Sequence, residues 1–289
     1  MSVLPAHISG MAQDYPLPDW NSLAALEDND LPLLDTALLI ARDEYPDLDA
    51  GGYIERIAEY ANALQPRMPD ELPAQLSTIN TYLFDELGFA GNTRQFDDPR
   101  NSYLNEVFDR KLGIPISLAV VQIELTRRLG LPLDGISFPG HFLVRLPVDD
   151  GILVLDPYNR GRPVGVEELK ERASSHLGGQ QPDDVQLVEI LEPASHRTIL
   201  ARMLRNLVGI YQERADWERL ARSADRLLKI TPGSPEAWRA RGLAYRELGY
   251  TQGAREDLAR YLHAMPEADD AEAVRQALVD VSVTRVRMN

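Results

Sequence analysis

The chain has no cysteine. That excludes disulfides, thiolate-ligated zinc, iron–sulfur clusters and any thiol chemistry in which this chain supplies the sulfur. Positive charge is also scarce, since 30 Lys plus Arg against 45 Asp plus Glu leave a formal charge of −15. The average surface therefore repels phosphate backbones and anionic bilayers within a Debye length. Long apolar runs are missing: residues 31–40 are interrupted by Pro32 and Asp35, well short of the ~20 residues a spanning helix requires. Residues 1–20 carry no Lys or Arg, contain Pro5, Pro16 and Pro18, and hold no secretory signal pattern. There is no Gly-rich phosphate loop, and His7, His176, His196 and His263 show no paired ligand spacing, so no metal or other cofactor is expected. These absences describe a soluble, cytoplasmic protein with neither nucleic acid nor membrane as partner.

What is present suits two modest cores, because 289 residues at 44% hydrophobic and 26% charged fall in the range of two ordinary domains. Residues 1–18 read as a flexible arm and 19–180 as a first domain. Apolar positions at helical spacing give a helix through Leu33, Leu38 and Ala41 behind Asp30 as cap, a second from Tyr53 to Leu64, and a third from Pro73 to Leu87. Two more follow, from Asn101 to Leu112 and from Ile116 to Leu129, each stopped by a glycine. After Pro132 the period changes to two, so 135–138, 141–146 and 151–155 read as short strands, with Asp149-Asp150-Gly151 as a hairpin turn. A helical front half followed by a small antiparallel sheet is an α+β domain.

Residues 181–198 read as a linker, with Gly178-Gly-Gln-Gln-Pro182 as a mobile connection into it. Residues 199–289 are helical, and a shift of 34 lays Tyr211 on Tyr245 and Pro232 on Pro266. Trp238, Gly242, Leu243, Tyr245, Ala254, Leu258, Tyr261 and Pro266 match a tetratricopeptide repeat, preceded by a weaker copy with Leu204, Val208, Tyr211, Leu220, Ala224 and Leu227. Residues 269–287 then form a capping helix. The concave face of such a stack binds extended peptides, and Arg239, Arg241 and Arg246, with Arg255, are its candidate cationic handles. The competing reading is a solvated helix surface.

The chemistry-bearing pattern is Gly113-Ile-Pro-Ile-Ser117, Phe138-Pro-Gly-His141 and Leu155-Asp156-Pro157. A serine at a helix N-terminus meets unpaired backbone N–H groups that can hold an oxyanion. A histidine opening one antiparallel strand and an aspartate ending the next can sit opposite each other, so the carboxylate can orient the imidazole. Each residue also has a plainer reading: Ser117 as a helix cap, His141 as a half-buried strand residue, and Asp156 before Pro157 as the end of a strand.

Asn101-Ser-Tyr-Leu-Asn105, Gly113-Ile-Pro-Ile-Ser-Leu118, Arg128-Leu-Gly-Leu131, Phe138-Pro-Gly-His-Phe-Leu143 and Asp156-Pro157 together resemble the SirB-type transglutaminase-like family with C-terminal tetratricopeptide repeats. The resemblance covers roughly residues 30–280. It implies a transglutaminase-like (papain-like) α+β domain followed by an all-α repeat domain. It places Ser117 at the nucleophile position, His141 at the general base and Asp156 at the orienting position, with Asn105 a candidate oxyanion donor. Members of that family commonly lack the catalytic cysteine, and serine cannot hold a thiolate–imidazolium pair, so its hydroxyl needs tighter alignment with the base. The resulting expectation is a non-catalytic or atypical member that binds a protein or peptide through its cleft and repeats. The rival is a serine-dependent hydrolase or acyltransferase built on Ser117, His141 and Asp156.

Overall fold

The computed structural model describes residues 15–149 and 151–286, with side chains through residue 282. Residues 1–14 of the expected arm and Asp150 of the expected hairpin turn lie outside the described residues. The chain opens with α1 (Trp20–Leu23), α2 (Leu33–Arg42) and α3 (Ala50–Leu64). Asp49 caps α3 by accepting from Gly52 N at 3.1 Å, whereas α2 starts directly after Pro32 with no side-chain cap. Asp30 therefore sits in the preceding turn rather than at the cap, because the fixed φ of proline already sets the entry to the helix. The third expected helix is α4 (Leu72–Asn80) continued by a π-helical turn, Thr81–Glu86. A short parallel pair, β1 (Ala90–Gly91) and β2 (Leu112–Gly113), brackets α5 (Leu104–Arg110) and leads into α6 (Pro115–Arg128).

The α6 helix is the central one, with every residue from Pro115 to Thr126 buried. A helix apolar on all sides must be covered on all sides. Most of its buried polar groups have partners, as such burial requires: Gln122 Nε2 donates to Asn80 Oδ1 at 2.7 Å, and Glu124 pairs with Arg127 at 2.7 Å and Arg128 at 2.6 Å. Against α6 lies an antiparallel sheet in the order β3 (Asp134–Ile136), β4 (Leu143–Val148), β5 (Gly151–Asp156) and β6 (Arg162–Pro163). Val144 pairs with Leu155 and Val148 with Gly151. This register sets Asp156 across from Leu143, and His141 lies one diagonal step away.

The next elements are α7 (Val166–Ser174) and α8 (Asp184–Ile190). The expected linker thus contains a helix, capped by Asp183 accepting from Gln186 N at 2.8 Å. Its end is tied to the sheet, where Ala194 N donates to Gly135 O at 2.8 Å. The remaining helices are α9 (His196–Glu213), α10 (Trp217–Ile230), α11 (Pro235–Glu247), α12 (Thr251–Ala264) and α13 (Ala271–Val286), each packed on the next. Gly242 lets α11 and α12 touch, since a Cβ there would fall 2.8 Å from Leu258 Cδ2.

Both halves share one apolar core, which runs from Leu38, Phe108 and Val120 into Leu204, Leu227 and Ala240. Polar contacts pin the same boundary. The hydroxyls of Tyr103 and Tyr211 meet at 2.8 Å, Arg219 and Arg222 both pair with Glu44, and Arg226 Nε reaches Asp43 at 2.7 Å. As a result α9, the first repeat helix, also forms a wall of the front domain.

Candidate functional site

His141 is positioned by a tight turn. Its N–H donates to Phe138 O at 3.2 Å, Pro139 follows Phe138, and Gly140 takes a left-handed φ of +65°. Proline and then a positive-φ glycine is the type II turn arrangement. His141 therefore stands on a turn just before β4, not within the strand as the alternation suggests. Its Nε2 lies 3.0 Å from Asp156 Oδ1, and its ring meets the Tyr158 ring edge-on at 6.1 Å. A diagonal cross-strand pair is close enough for an imidazole and a carboxylate to bridge.

Asp156 is completely buried and accepts more than the histidine. The N–H groups of Tyr158 and Asn159 point at Oδ1 at 3.1 and 3.3 Å, while Asn159 Nδ2 and Arg172 Nη1 reach Oδ2 at 2.6 and 2.9 Å. Burial alone would push this carboxyl up. The hydrogen bonds and charge of His141, with Asn159 and Arg172, outweigh burial and hold it well below the usual carboxylate range. Sequence reasoning missed Asn159 and Arg172. The Asp-Pro-Tyr-Asn run was the available signal for the first, since Asp side chains accept from backbone two and three residues on. For Arg172 the local sequence offers no comparable signal.

Ser117 does not join the pair. It lies in the first turn of α6, behind the N-cap residue Ile114, and is completely buried. Its hydroxyl donates to Asn101 O at 2.6 Å and accepts from Ile114 N at 3.1 Å. Gly113 presses on the same oxygen, since a Cβ at that position would stand 2.6 Å from it. The expected Ser117–His141 hydrogen bond is therefore not made: the hydroxyl is turned inward to satisfy the backbone at the start of α6, as capping geometry favours.

The cleft on which His141 opens, a cavity of about 300 Å³, is lined by Ile114, Pro115 and Ile116 from the entry to α6 and by Phe142. Its opposite wall is the face of α9 that carries Arg202, Asn206, Gly209, Ile210 and Glu213. No lining residue bears a hydroxyl, thiol or amine. Asn105 is not brought here. Only 6% exposed and with Oδ1 unpartnered among the described residues, it borders a separate cavity beside Tyr45 and Tyr53.

Three of the four arginines expected to line the repeat face, Arg239, Arg241 and Arg246, are already engaged. Arg241 donates to Asp257 at 2.7 Å and Asp225 at 2.6 Å, tying α10, α11 and α12 together. Arg239 pairs with Asp270, and Arg246 with Glu247 at 2.6 Å. Among the described residues no group of three or more His, Asp or Glu is arranged to hold a metal, and no helix is long and apolar enough to cross a membrane.

A central helix whose N-terminus shares a cleft with a His–Asp pair held at the ends of two neighbouring strands, joined to a stack of helical hairpins, defines a class, and family comparison agrees. Residues 52–205 match the transglutaminase-like superfamily and residues 207–279 match the tetratricopeptide repeat. The chain belongs to the transglutaminase-like superfamily, as a member with C-terminal tetratricopeptide repeats. Among its relatives is a UPF0162 protein of Xylella fastidiosa, 57% identical over 96% of this chain and 99% of that one. A UPF0162 protein of Pseudomonas aeruginosa is 31% identical, with 80% and 83% covered. The UPF0162 protein YchA of Escherichia coli K12 is 25% identical, with 90% and 97% covered.

Proposed function

We propose that this chain is a SirB-type, non-catalytic transglutaminase-like protein of the cytoplasm that binds a protein or peptide in the cleft between α6 and α9. The observation that carries this reading is the state of Ser117: its oxygen is spent on backbone groups in a fully buried site, and the cleft beside His141 presents Ile114 and Ile116 where a nucleophile would act. Serine catalysis requires a hydroxyl within hydrogen-bond reach of the base. The tetratricopeptide repeats support a role in protein interaction.

The rival reading, a hydrolase or acyltransferase using Ser117, His141 and Asp156, draws on the intact His141–Asp156 pair. One experiment separates the two. Native protein is exposed to a fluorophosphonate probe, and in parallel the immobilised protein is offered a randomised pool of heptapeptides. The binding reading expects no adduct at Ser117 and retention of a peptide subset that Gly209→Trp releases. A Ser117 adduct that disappears in His141→Ala would establish the hydrolase, and failure to retain any peptide would remove the binding reading.

A further inference from the structure

The repeat helices are rich in arginine, and almost all of it is neutralised internally. Arg197, Arg205, Arg219, Arg222, Arg226, Arg239, Arg241 and Arg246 each have a carboxylate partner. Arg202 is different. Its Nη1 donates to Ser137 Oγ at 2.9 Å and Phe138 O at 3.0 Å, and the guanidinium lies over the Phe142 ring. Among the described residues it has no carboxylate partner, a state it shares with Arg214, whose guanidinium donates to Asp97 O, and burial presses on its charge and pulls its pKa down. At the other end of the cleft, among the described residues, the carboxylates of Glu213 and Asp97 have no ion-pair partner, although Arg214 Nη2 donates to the backbone Asp97 O at 2.9 Å. A chain with 45 acidic residues thus leaves an arginine without a carboxylate at one end of a groove and Glu213 without a cation at the other.

Arg202 and Glu213 share a face of α9. Their separation is eleven residues by numbering, which is about three helical turns and roughly 16 Å along the axis. An extended peptide rises about 3.3 Å per residue, so the same span takes about five residues. Between the two charges the helix offers Gly209, where an added Cβ would meet nothing within 4 Å, and Ile210. Ile114, Ile116 and Phe142 face them. Phe96 and Asp97 also border a second cavity of about 610 Å³ toward Tyr103 and Arg214, so the groove continues past Glu213.

From the charge order along α9 we infer that the groove takes an extended peptide with an acidic side chain at Arg202 and a basic side chain, about five residues away, at Glu213. Apolar side chains between them fill the stretch over Gly209. This rests on the peptide-binding reading above and adds to it the charge pattern of the ligand.

The test uses acetylated, amidated, fluorescein-labelled heptapeptides with Leu and Ala spacers, measured by anisotropy against the full chain. Glu and Lys five positions apart should bind about tenfold tighter than Gln at both positions, Glu at both, Lys at both, or Glu and Lys two apart, as paired charges set specificity. Glu213→Lys, an exposed change that leaves Arg202 and its contacts in place, should transfer the preference to the Glu/Glu peptide. Gly209→Trp should abolish binding of every peptide. Equal affinity for all charge patterns, with Gly209→Trp still blocking, would overturn the charge inference and leave the groove as a peptide site. Absence of binding by every peptide would overturn the peptide-site reading itself.

Discussion

Replacing Ser117 by cysteine restores the element that transglutaminase chemistry uses and supplies the chain's sole thiol, so labelling reports on one atom without background. The side chain at this position is completely buried and hydrogen-bonded to the backbone of Asn101 and Ile114, so a reagent reaches it only when the fold opens. A domain-sized chain is stable by about 5–10 kcal/mol. Exchange of oxygen for sulfur weakens the contacts to Asn101 O and Ile114 N and costs about 1–3 kcal/mol. Roughly 2–9 kcal/mol then remains, and at 1.4 kcal/mol per tenfold alkylation of the native protein should run roughly 30-fold to 10⁶-fold slower than in urea. The assay is iodoacetamide modification at pH 8, native and unfolded, followed by mass spectrometry. A catalytic thiolate would behave oppositely, reacting fast in the native state because a neighbouring imidazolium keeps it ionised. Native labelling within tenfold of the unfolded rate, slowed by His141→Ala, would refute the inward placement and reopen the hydrolase reading.

Four further consequences are measurable by urea denaturation. Asp156→Ala strips a buried site that gathers Arg172, His141, Asn159 and two backbone N–H groups, and should cost about 3–5 kcal/mol at pH 7. Because the folded Asp156 carboxyl is held below its unfolded value, its contribution is complete above about pH 4 and fades as pH falls. The gap between wild type and Asp156→Asn should therefore narrow from pH 7 to pH 2.5, and a constant gap would contradict the assigned shift. Arg241→Ala leaves Asp257, 2% exposed, with only the longer pairing to Arg260 at 3.6 Å and should destabilise by about 1–3 kcal/mol; a change below about 0.5 kcal/mol would return Arg241 to the solvated surface. Gly209→Ala should stabilise by about 0.5–1 kcal/mol, since the position is an open helix interior where glycine only adds unfolded-state entropy, and loss of stability would mean the site is more crowded than it stands here.

The elements were legible where periodicity and punctuation coincide. Gly113 and Gly130 bracket α6, the alternation after Pro132 marks the sheet, and the 34-residue shift exposes the paired helices. His141 and Asp156 were legible as partners because two short strands joined by a tight turn can only pair antiparallel. Ser117 was not, because a serine in the first turn of a helix can face outward to a cleft or back toward its own N-cap. Sequence spacing does not decide between those rotamers, whereas the carbonyl of Asn101, brought in from another segment, does. Arg241 failed for a related reason: its charge is visible in sequence, but Asp225 and Asp257 reach it from neighbouring helices. The i, i+4, i+7, i+8, i+11 spacing from Arg202 to Glu213 was available and unread, because it looks like an ordinary polar helix face until the turn that carries His141 is placed opposite.

The His–Asp pair does not need catalysis to explain its form. A buried carboxylate must be surrounded by donors, and Asp156 meets that demand by fixing the turn after β5, anchoring α7 through Arg172 and holding His141 at the mouth of the cleft. The Pro-Gly turn then sets Phe142 behind the histidine and under Arg202. Each of these interactions shapes the wall that faces α9, and none requires a nucleophile. Because α9 is packed into the same core as α2 and α6, the first repeat helix closes the groove on its other side. The entry to α6 offers the cleft apolar contact, and much of its polar lining, Arg202, Asn206 and Glu213, stands on α9. On the peptide-binding reading, α9, which spans the end of the transglutaminase-like match and the start of the repeats, is the wall that joins the two.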